Sequence, residues 1–438
     1  MCRCARLTLW TCGLLTLLLV APRDLSASQG GTKAQLSKIN IVGLRSLSAD
    51  LLLPETGLKP GDLAGRDEFQ AAADRLAQLG LFSNITYEFR TQSDGLSVTF
   101  HAEEAARVPA YFDNVPWFTD GELAEAIKKT VPFYDGTCPE GGSVLDRIAE
   151  AVRQLLQARQ LQVAVEHEYI ANPIGEGMVQ VFRITGASLR IARIEFSDPL
   201  ASSSRGLQVH VSELLGKPYS RMQIDLFLAE HVRPVYLQKG YLRAKIGPPE
   251  IRLTGNPARP LPEMLPVFVP VTPGAVYHWQ GAQWSGNASL TISQLNDALA
   301  LKSGETADGL AIQAALDRAQ EEYGHRGYLE VQLDPQPVYD DQAHTVSYRI
   351  AVAEGPQYRY GELVLTGASL AAEKRIRASW PMAAGELFDK LKYEQFLTRL
   401  QSHGEEVLGD LPVHYAEVGH WLRTDALKKI ADVFLDFK

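Results

Sequence analysis

The chain has 438 residues, 45% hydrophobic and 22% charged, with a formal net charge of −9. At about 100–200 residues per domain, this length predicts two to four domains. Its 35 Gly and 24 Pro, with ordinary apolar content, exclude collagen, a coiled coil and wholesale disorder. Net acidity argues against a nucleic-acid partner, because a phosphate tract needs clustered Lys and Arg. A mean hydropathy of −0.11 excludes a polytopic helical membrane protein.

At the start, Arg3 and Arg6 precede an apolar run from Leu7 to Val20, and the small residues Ser26, Ala27 and Ser28 follow it. That order is the pattern of a secretory signal peptide over residues 1–28. The run is shorter than the ~20 residues of a spanning helix, so cleavage is the expected fate and retention as an anchor the alternative. Cys2, Cys4 and Cys12 fall inside this leader. Cys138 alone remains, in the loop-like stretch from Asp135 to Gly142, so an internal disulfide framework is excluded. It reads as an incidental thiol, with an intermolecular bridge as the sharper alternative.

Beyond the leader, Ile39 and Ile41 alternate with Lys38 and Asn40, the period of a strand. Ser48 and Asp50 open a short helix that must bend near Pro54. Lys59-Pro-Gly-Asp62 is a turn. Phe69, Ala72, Ala73, Leu76 and Leu79 give Asp67–Leu79 one apolar helical face, and Gly80 reads as its left-handed cap. Ile85, Tyr87 and Phe89 alternate with polar residues, the chain turns at Ser93-Asp-Gly95, and Leu96, Val98 and Phe100 alternate again. The unit is β-α-α-β-β, closed by a hairpin.

The same order recurs. Gly80, Arg159, Gly240 and Gly327 mark helix ends about 80 residues apart, with a weaker fifth mark at Gly404. Gly216-Lys-Pro-Tyr219, Lys302-Ser-Gly-Glu305 and Ala384-Gly-Glu-Leu387 repeat the turn. In the fourth copy Ile312, Leu316, Ala319 and Tyr323 form a helix stripe, Leu329, Val331 and Leu333 alternate, and Val346, Tyr348, Ile350 and Val352 return. The expected fold class is therefore α+β: a tandem array of five units, each a three-stranded mixed sheet covered on one face by two helices. The expected boundaries are residues 35–104, 105–186, 187–273, 274–355 and 356–438. Two departures stand out. Arg159 replaces the capping glycine of the second copy, and Pro234, Pro266 and Pro270 interrupt the helix and return strand of the third.

This grammar resembles the POTRA (polypeptide-transport-associated) domain of the outer-membrane protein assembly and two-partner secretion family. The matching residues are Ile41-Val-Gly43, Lys59-Pro-Gly-Asp62, Leu76-Ala-Gln-Leu-Gly-Leu-Phe82, Val352-Ala-Glu-Gly-Pro-Gln-Tyr358 and Leu363-Val-Leu-Thr-Gly367. The resemblance implies a periplasmic array in which the first strand of each closing hairpin is a sheet edge. Assembly-type relatives carry a transmembrane barrel after their last repeat. Here a return strand over Val433, Leu435 and Phe437 reaches Lys438, and a barrel is not expected.

No catalytic constellation is evident: there is no Gly-x-Ser-x-Gly, His-Glu-x-x-His, Walker loop or Cys-x-x-Cys. Glu321 and His325 share a helix, but no further ligands accompany them. Glu103-Glu104 reads as a solvated junction. Trp279 and Trp284 read as packing between repeats, with an exposed patch as the alternative. No enzyme activity, cofactor, metal or small-molecule substrate is expected.

A sheet edge needs no reactive side chain, because its unpaired N–H and C=O groups can pair with any extended peptide. The expected edges run near Asn84–Arg90, Gln162–Tyr169, Leu242–Gly247, Tyr328–Leu333 and Val413–Val418. Tyr241, Leu242, Ala244, Tyr328, Leu329 and Val331 are the expected binding residues. Glu354, Gly355 and Pro356 are the expected stiff junction between copies four and five. The expected partners are unfolded outer-membrane protein clients or a separate barrel protein, in a periplasm where the chain is peripheral to the membrane at most. The rival is an envelope-tethered spacer with a retained leader.

Overall fold

The structure is a computed structural model that describes residues 33–93, 95–252, 263–402, 407–408 and 417–438. The leader, Gly404 and the interior of the Pro-rich loop between Pro248 and Pro266 lie outside the described residues. The contacts form two compact units. One comprises the described residues up to Arg107 with Val131–Arg147; the other comprises Val108–Thr130 and Ile148–Lys438.

In the first unit the chain runs through β1 (Ala34–Val42), α1 (Ala49–Leu52), β2 (Leu63–Ala64), α2 (Arg66–Gln78), β3 (Phe82–Gln92) and β4 (Gly95–Glu104). The sheet order is β2-β1-β4-β3, with β1 parallel to β4 and β3 antiparallel to it. Phe69, Ala72, Ala73 and Leu76 of α2 are buried, as their helical spacing requires. Val98 and Phe100, which point to the same side of β4, are buried as well, and the Phe69 ring lies against those of Tyr87 and Phe89 in β3.

The next stretch has β5 (Arg107–Phe112), α3 (Asp120–Lys128), β6 (Thr137–Pro139), α4 (Ser143–Gln157), β7 (Ala164–Ala171) and β8 (Met178–Thr185). β8 lies parallel to β5 and antiparallel to β7. The loop-like Cys138 stretch is thus the short strand β6 behind Gly136, whose φ is 97°. It corresponds to β2 behind Gly61 in the first copy.

The third stretch has β9 (Arg190–Phe196), α5 (Pro199–Ser203), α6 (Arg205–Leu214), α7 (Arg221–Phe227), α8 (Arg233–Leu237), β10 (Lys245–Ile246), β11 (Glu250–Ile251), β12 (Met264–Val269) and β13 (Val271–Thr272). Its prolines are accommodated one by one. A π turn over Leu228–Val232 ends α7, so Pro234 falls in the first turn of α8, where no N–H is needed. Pro266 does sit in the central strand β12, at a register shift against β9. That is the place in a sheet where a missing donor is tolerated.

The fourth has β14 (His278–Ser285), α9 (Ile292–Leu299), α10 (Gly309–Gly324), β15 (Gln332–Asp340) and β16 (Thr345–Ala353). The fifth has β17 (Arg359–Thr366), α11 (Leu370–Ser379), α12 (Lys390–Ser402), β18 (Val418–Asp425) and β19 (Ile430–Phe437). Their sheet orders are identical, β14-β16-β15 and β17-β19-β18, with the first strand parallel to the centre and the hairpin antiparallel. Trp279 and Trp284 belong to the fourth copy's own core, 5% and 9% exposed, which corrects their reading as packing between repeats. The Trp284 indole N–H donates to Asn296 at 3.0 Å, which lets a polar ring nitrogen be buried there.

One backbone device recurs in four copies. The first strand bulges after Leu36, Ile191, Trp279 and Tyr360. At that residue the N–H turns outward to the turn carbonyl of Asp62, Lys217, Glu305 or Glu386, at 2.8, 3.0, 2.8 and 2.8 Å. The repeated Lys/Gly/Pro turns therefore close the outer side of the first strand. The hairpin strand on the opposite side is left as the edge.

Candidate functional site

Five edges result, and they are not alike. β3 and β7 contain no proline, and neither does β18. The third copy has only the two-residue pieces β10 and β11, separated by Gly247-Pro-Pro249 and paired with different strands. β15 carries Pro335 and Pro337 in an unbroken ladder against Ile350 and Tyr348 of β16. Residues two apart share one hydrogen-bonding side, and proline cannot donate. Both prolines therefore occupy positions whose N–H would face away from β16, and their rings remove two donors from the outer edge. The fold repeats, and Gln336 and Glu88 hold equivalent central positions, paired with Arg349 and Thr99. Tyr87 and Phe89 are then the counterparts of the two prolines, so the N–H groups of Ile85, Tyr87, Phe89 and Thr91 line the open side of β3.

The expected binding residues lie elsewhere. None of Tyr241, Leu242, Ala244, Tyr328, Leu329 and Val331 is in a strand; β10 starts at Lys245 and β15 at Gln332. They form the joints between copies. Gly240, with φ 80°, caps α8, and the Tyr241 N–H returns to the Tyr236 carbonyl at 3.1 Å. The Gly240 carbonyl accepts the N–H of Tyr277 at 2.9 Å, where the next copy begins. Tyr241 packs in the third core, whereas Leu242 packs in the fourth. The joint at Gly327 repeats this. The Tyr328 N–H bonds Tyr323 at 3.1 Å, the Gly327 carbonyl accepts the Tyr358 N–H at 2.7 Å, Tyr328 packs in the fourth core and Leu329 in the fifth. Ala244 packs in the third core, and Val331 is 5% exposed in the fourth.

The residue after each leucine completes the joint. Arg243 donates to Asp341 at 3.1 Å, and the Tyr277 hydroxyl donates to the same carboxylate at 2.5 Å. Glu330 accepts from the Tyr358 hydroxyl at 2.5 Å and from Thr424 at 3.2 Å. The two joints thus share a geometry but carry opposite charges. Between the second and third copies, the cap falls on Gln160 (φ 63°) and not on Arg159, with the Leu161 N–H returning to Leu156 at 3.2 Å. The sequence marker was displaced by one residue because no glycine is present to show it.

Glu354 does not bridge copies. Its carboxylate accepts the Ser289 N–H at 2.8 Å and the Ser289 hydroxyl, binding the fourth copy to itself, while Gly355 turns the chain at φ 70° and Pro356 follows outside any strand. Glu104 does the same in the first copy, accepting the N–H groups of Arg45, Ser46 and Leu47 at 2.7, 2.9 and 3.0 Å. Burial pushes the Glu104 pKa up, but the Ser46 hydroxyl and these N–H groups outweigh it and hold it at about 2. Cys138 is fully buried, and burial pushes its thiol up to about 12, a thiol rather than a reactive thiolate at neutral pH. Among the described residues no three His, Cys, Asp or Glu converge on a metal site, and no helix is long and apolar enough to cross a membrane.

The sheet faces turned away from the helices also differ. On each, one cross-strand row runs through the centre. Its edge residue is Glu88, Glu168, Glu250 or Gln336 in the first four copies and Trp421 in the fifth. Its central residue is Thr99, Val181, Phe268, Arg349 and Phe434 in turn.

A sequence model of the POTRA family, described as surface antigen variable number repeat, matches residues 34–105 and 277–355. These two segments therefore carry the POTRA repeat. The chain is 23% identical over 229 residues to a proposed outer membrane protein assembly factor of Treponema pallidum (strain Nichols). That match takes in 50% of this chain and 25% of the relative, so the chain spans about a quarter of that protein's length. Among solved structures, POTRA domains 3–5 of Haemophilus influenzae BamA align at 20% identity with a TM-score of 0.45, covering 57% of this chain and 96% of that one. POTRA domains 1–3 of Anabaena Omp85 align at 13% identity with a TM-score of 0.19, covering 74% and 96%.

Proposed function

We propose that this protein is a non-enzymatic binding scaffold of the periplasm that serves outer-membrane protein assembly or secretion. It pairs extended segments of unfolded outer-membrane clients, or of a separate barrel protein, with its proline-free sheet edges. The observation that carries this reading is β3, an 11-residue edge whose outward N–H groups are intact, beside β15, which has lost two of its own to proline. Main-chain pairing asks little of client sequence, which suits many clients with one mechanism. The POTRA match and the assembly-factor relative support the cellular setting.

The test is a reciprocal exchange. Thr91→Pro removes an outward donor of β3 while leaving its inward ladder; Pro335→Val with Pro337→Val restores two donors to β15. Binding of an unfolded outer-membrane barrel protein, measured by fluorescence titration, should weaken at least about threefold in the first variant and strengthen in the second, since each lost hydrogen bond is worth ~1 kcal/mol. Unchanged affinity in both, with circular dichroism showing each folded, would sink the reading.

A further inference from the structure

We propose that the open face of the fifth sheet docks the first turn of a helix from a partner polypeptide, one that presents an aliphatic side chain beside its N-cap. This surface is a sheet face and not an edge, so it stands apart from strand capture.

The central row of this face, Val364–Phe434–Trp421, is the wholly apolar one among the five. Trp421 is 49% exposed and stacks on Phe434 with ring centroids 5.2 Å apart. Arg423 lies over the Phe434 ring at 4.8 Å. Exposed aromatics in a contiguous row are the signature of a contact surface rather than of scattered surface apolarity.

The chain contains its own precedent for the occupant. In the second copy the equivalent row offers Tyr111 and Val181, and Met222 from the first turn of α7 packs on them. Asp113, two residues beyond Tyr111, accepts the Met222 N–H at 2.8 Å and the hydroxyl of Ser220, the N-cap of α7, also at 2.8 Å. Helix start, methionine and carboxylate form one arrangement. In the fifth copy the position two beyond Val364 is Thr366, whose hydroxyl donates to Asp436 on the neighbouring strand at 2.6 Å. A carboxylate therefore again stands at the end of an apolar row.

Charge favours the same occupant. Asp432 and Asp436 flank Phe434 along β19, and Glu362 lies beside Asp432, its N–H 3.1 Å from that carboxylate. Arg423 is paired with Asp432 at 2.9 Å and Lys438 with Asp436 at 3.9 Å, which leaves Glu362 and the unshared carboxylate oxygens as the border's net negative charge. An acidic border around an aromatic centre complements the positive end of a helix dipole and repels acidic peptides.

The test uses the full chain labelled with 5-fluorotryptophan, in which Trp421→Gln identifies the Trp421 fluorine resonance. That variant keeps the fold, because Gln336 stands at the same position in the fourth copy. The probe is a lactam-constrained peptide of residues 218–237, shown to be helical by circular dichroism. The Trp421 resonance should shift and saturate, with a dissociation constant on the order of 0.1–1 mM. Replacing the peptide's Met222 by Glu should weaken binding at least about tenfold, and Asp436→Asn in the protein about threefold. No shift, or an equal shift with the Glu peptide, would overturn the proposal. So would a Trp421-dependent dimer in sedimentation, which assigns the face to a second copy. A matching shift with phosphatidylglycerol vesicles alone assigns it to lipid and overturns it as well.

Discussion

At the scale of single residues, one carboxylate shows how the repeat holds its shape. Glu104 accepts three successive backbone N–H groups, and those bonds favour the charged form. Its folded pKa of about 2 lies below the ordinary Glu value of ~4.3. A depressed carboxylate adds stability that is present above the unfolded pKa and lost as pH falls through the folded one. Glu104→Gln should therefore lower stability at pH 7 and flatten its decline between about pH 4.5 and 2. Urea unfolding at several pH values reads both effects, and a parallel decline in variant and parent would contradict this account. The residue scale also shows where a sequence marker fails. Gln160 takes the left-handed cap that glycine takes at Gly240 and Gly327, and a side chain there carries no visible signal of its φ. The sequence reading placed the departure at Arg159, one residue early.

At the scale of elements, alternation made the strands legible. Period two needs only a local run, and β1, β3, β4, β16 and β19 fall where their apolar residues alternate. The Gly-Tyr-Leu segments were read as strand starts for the same local reason, an aromatic and an aliphatic residue following a helix cap. Their use as joints depends on contacts with the next copy, which no local pattern encodes. The sequence reading passed over Pro335 and Pro337, although proline within a strand signals an unpaired side. The joints make a prediction of their own. Gly327 and Gly385 both have positive φ, 82° and 81°. A Cβ on Gly385 meets nothing within 4 Å, whereas one on Gly327 comes within 2.5 Å of the Tyr358 carbonyl oxygen. Gly385→Ala should cost about 1–2 kcal/mol of backbone strain. Gly327→Ala should cost distinctly more, because two backbones must separate, and denaturant midpoints of the two variants measure the difference. Equal costs would show that the joint yields freely.

At the scale of the whole chain, the repeat was legible and the place of binding was not. Five ordered recurrences pointed to POTRA repeats, and two segments match that family. The binding edge was not legible in the same way, because copies with one fold differ in whether their outer donors survive. Hydrogen exchange followed by mass spectrometry or NMR, with and without an unfolded outer-membrane barrel client, tests that distinction most directly. The amides of Ile85, Tyr87, Phe89 and Thr91 should slow when client is added, while Leu333 and Tyr339 on the proline-bearing β15 should not. Equal slowing of both edges, or slowing confined to β15, would contradict strand capture at the intact edge.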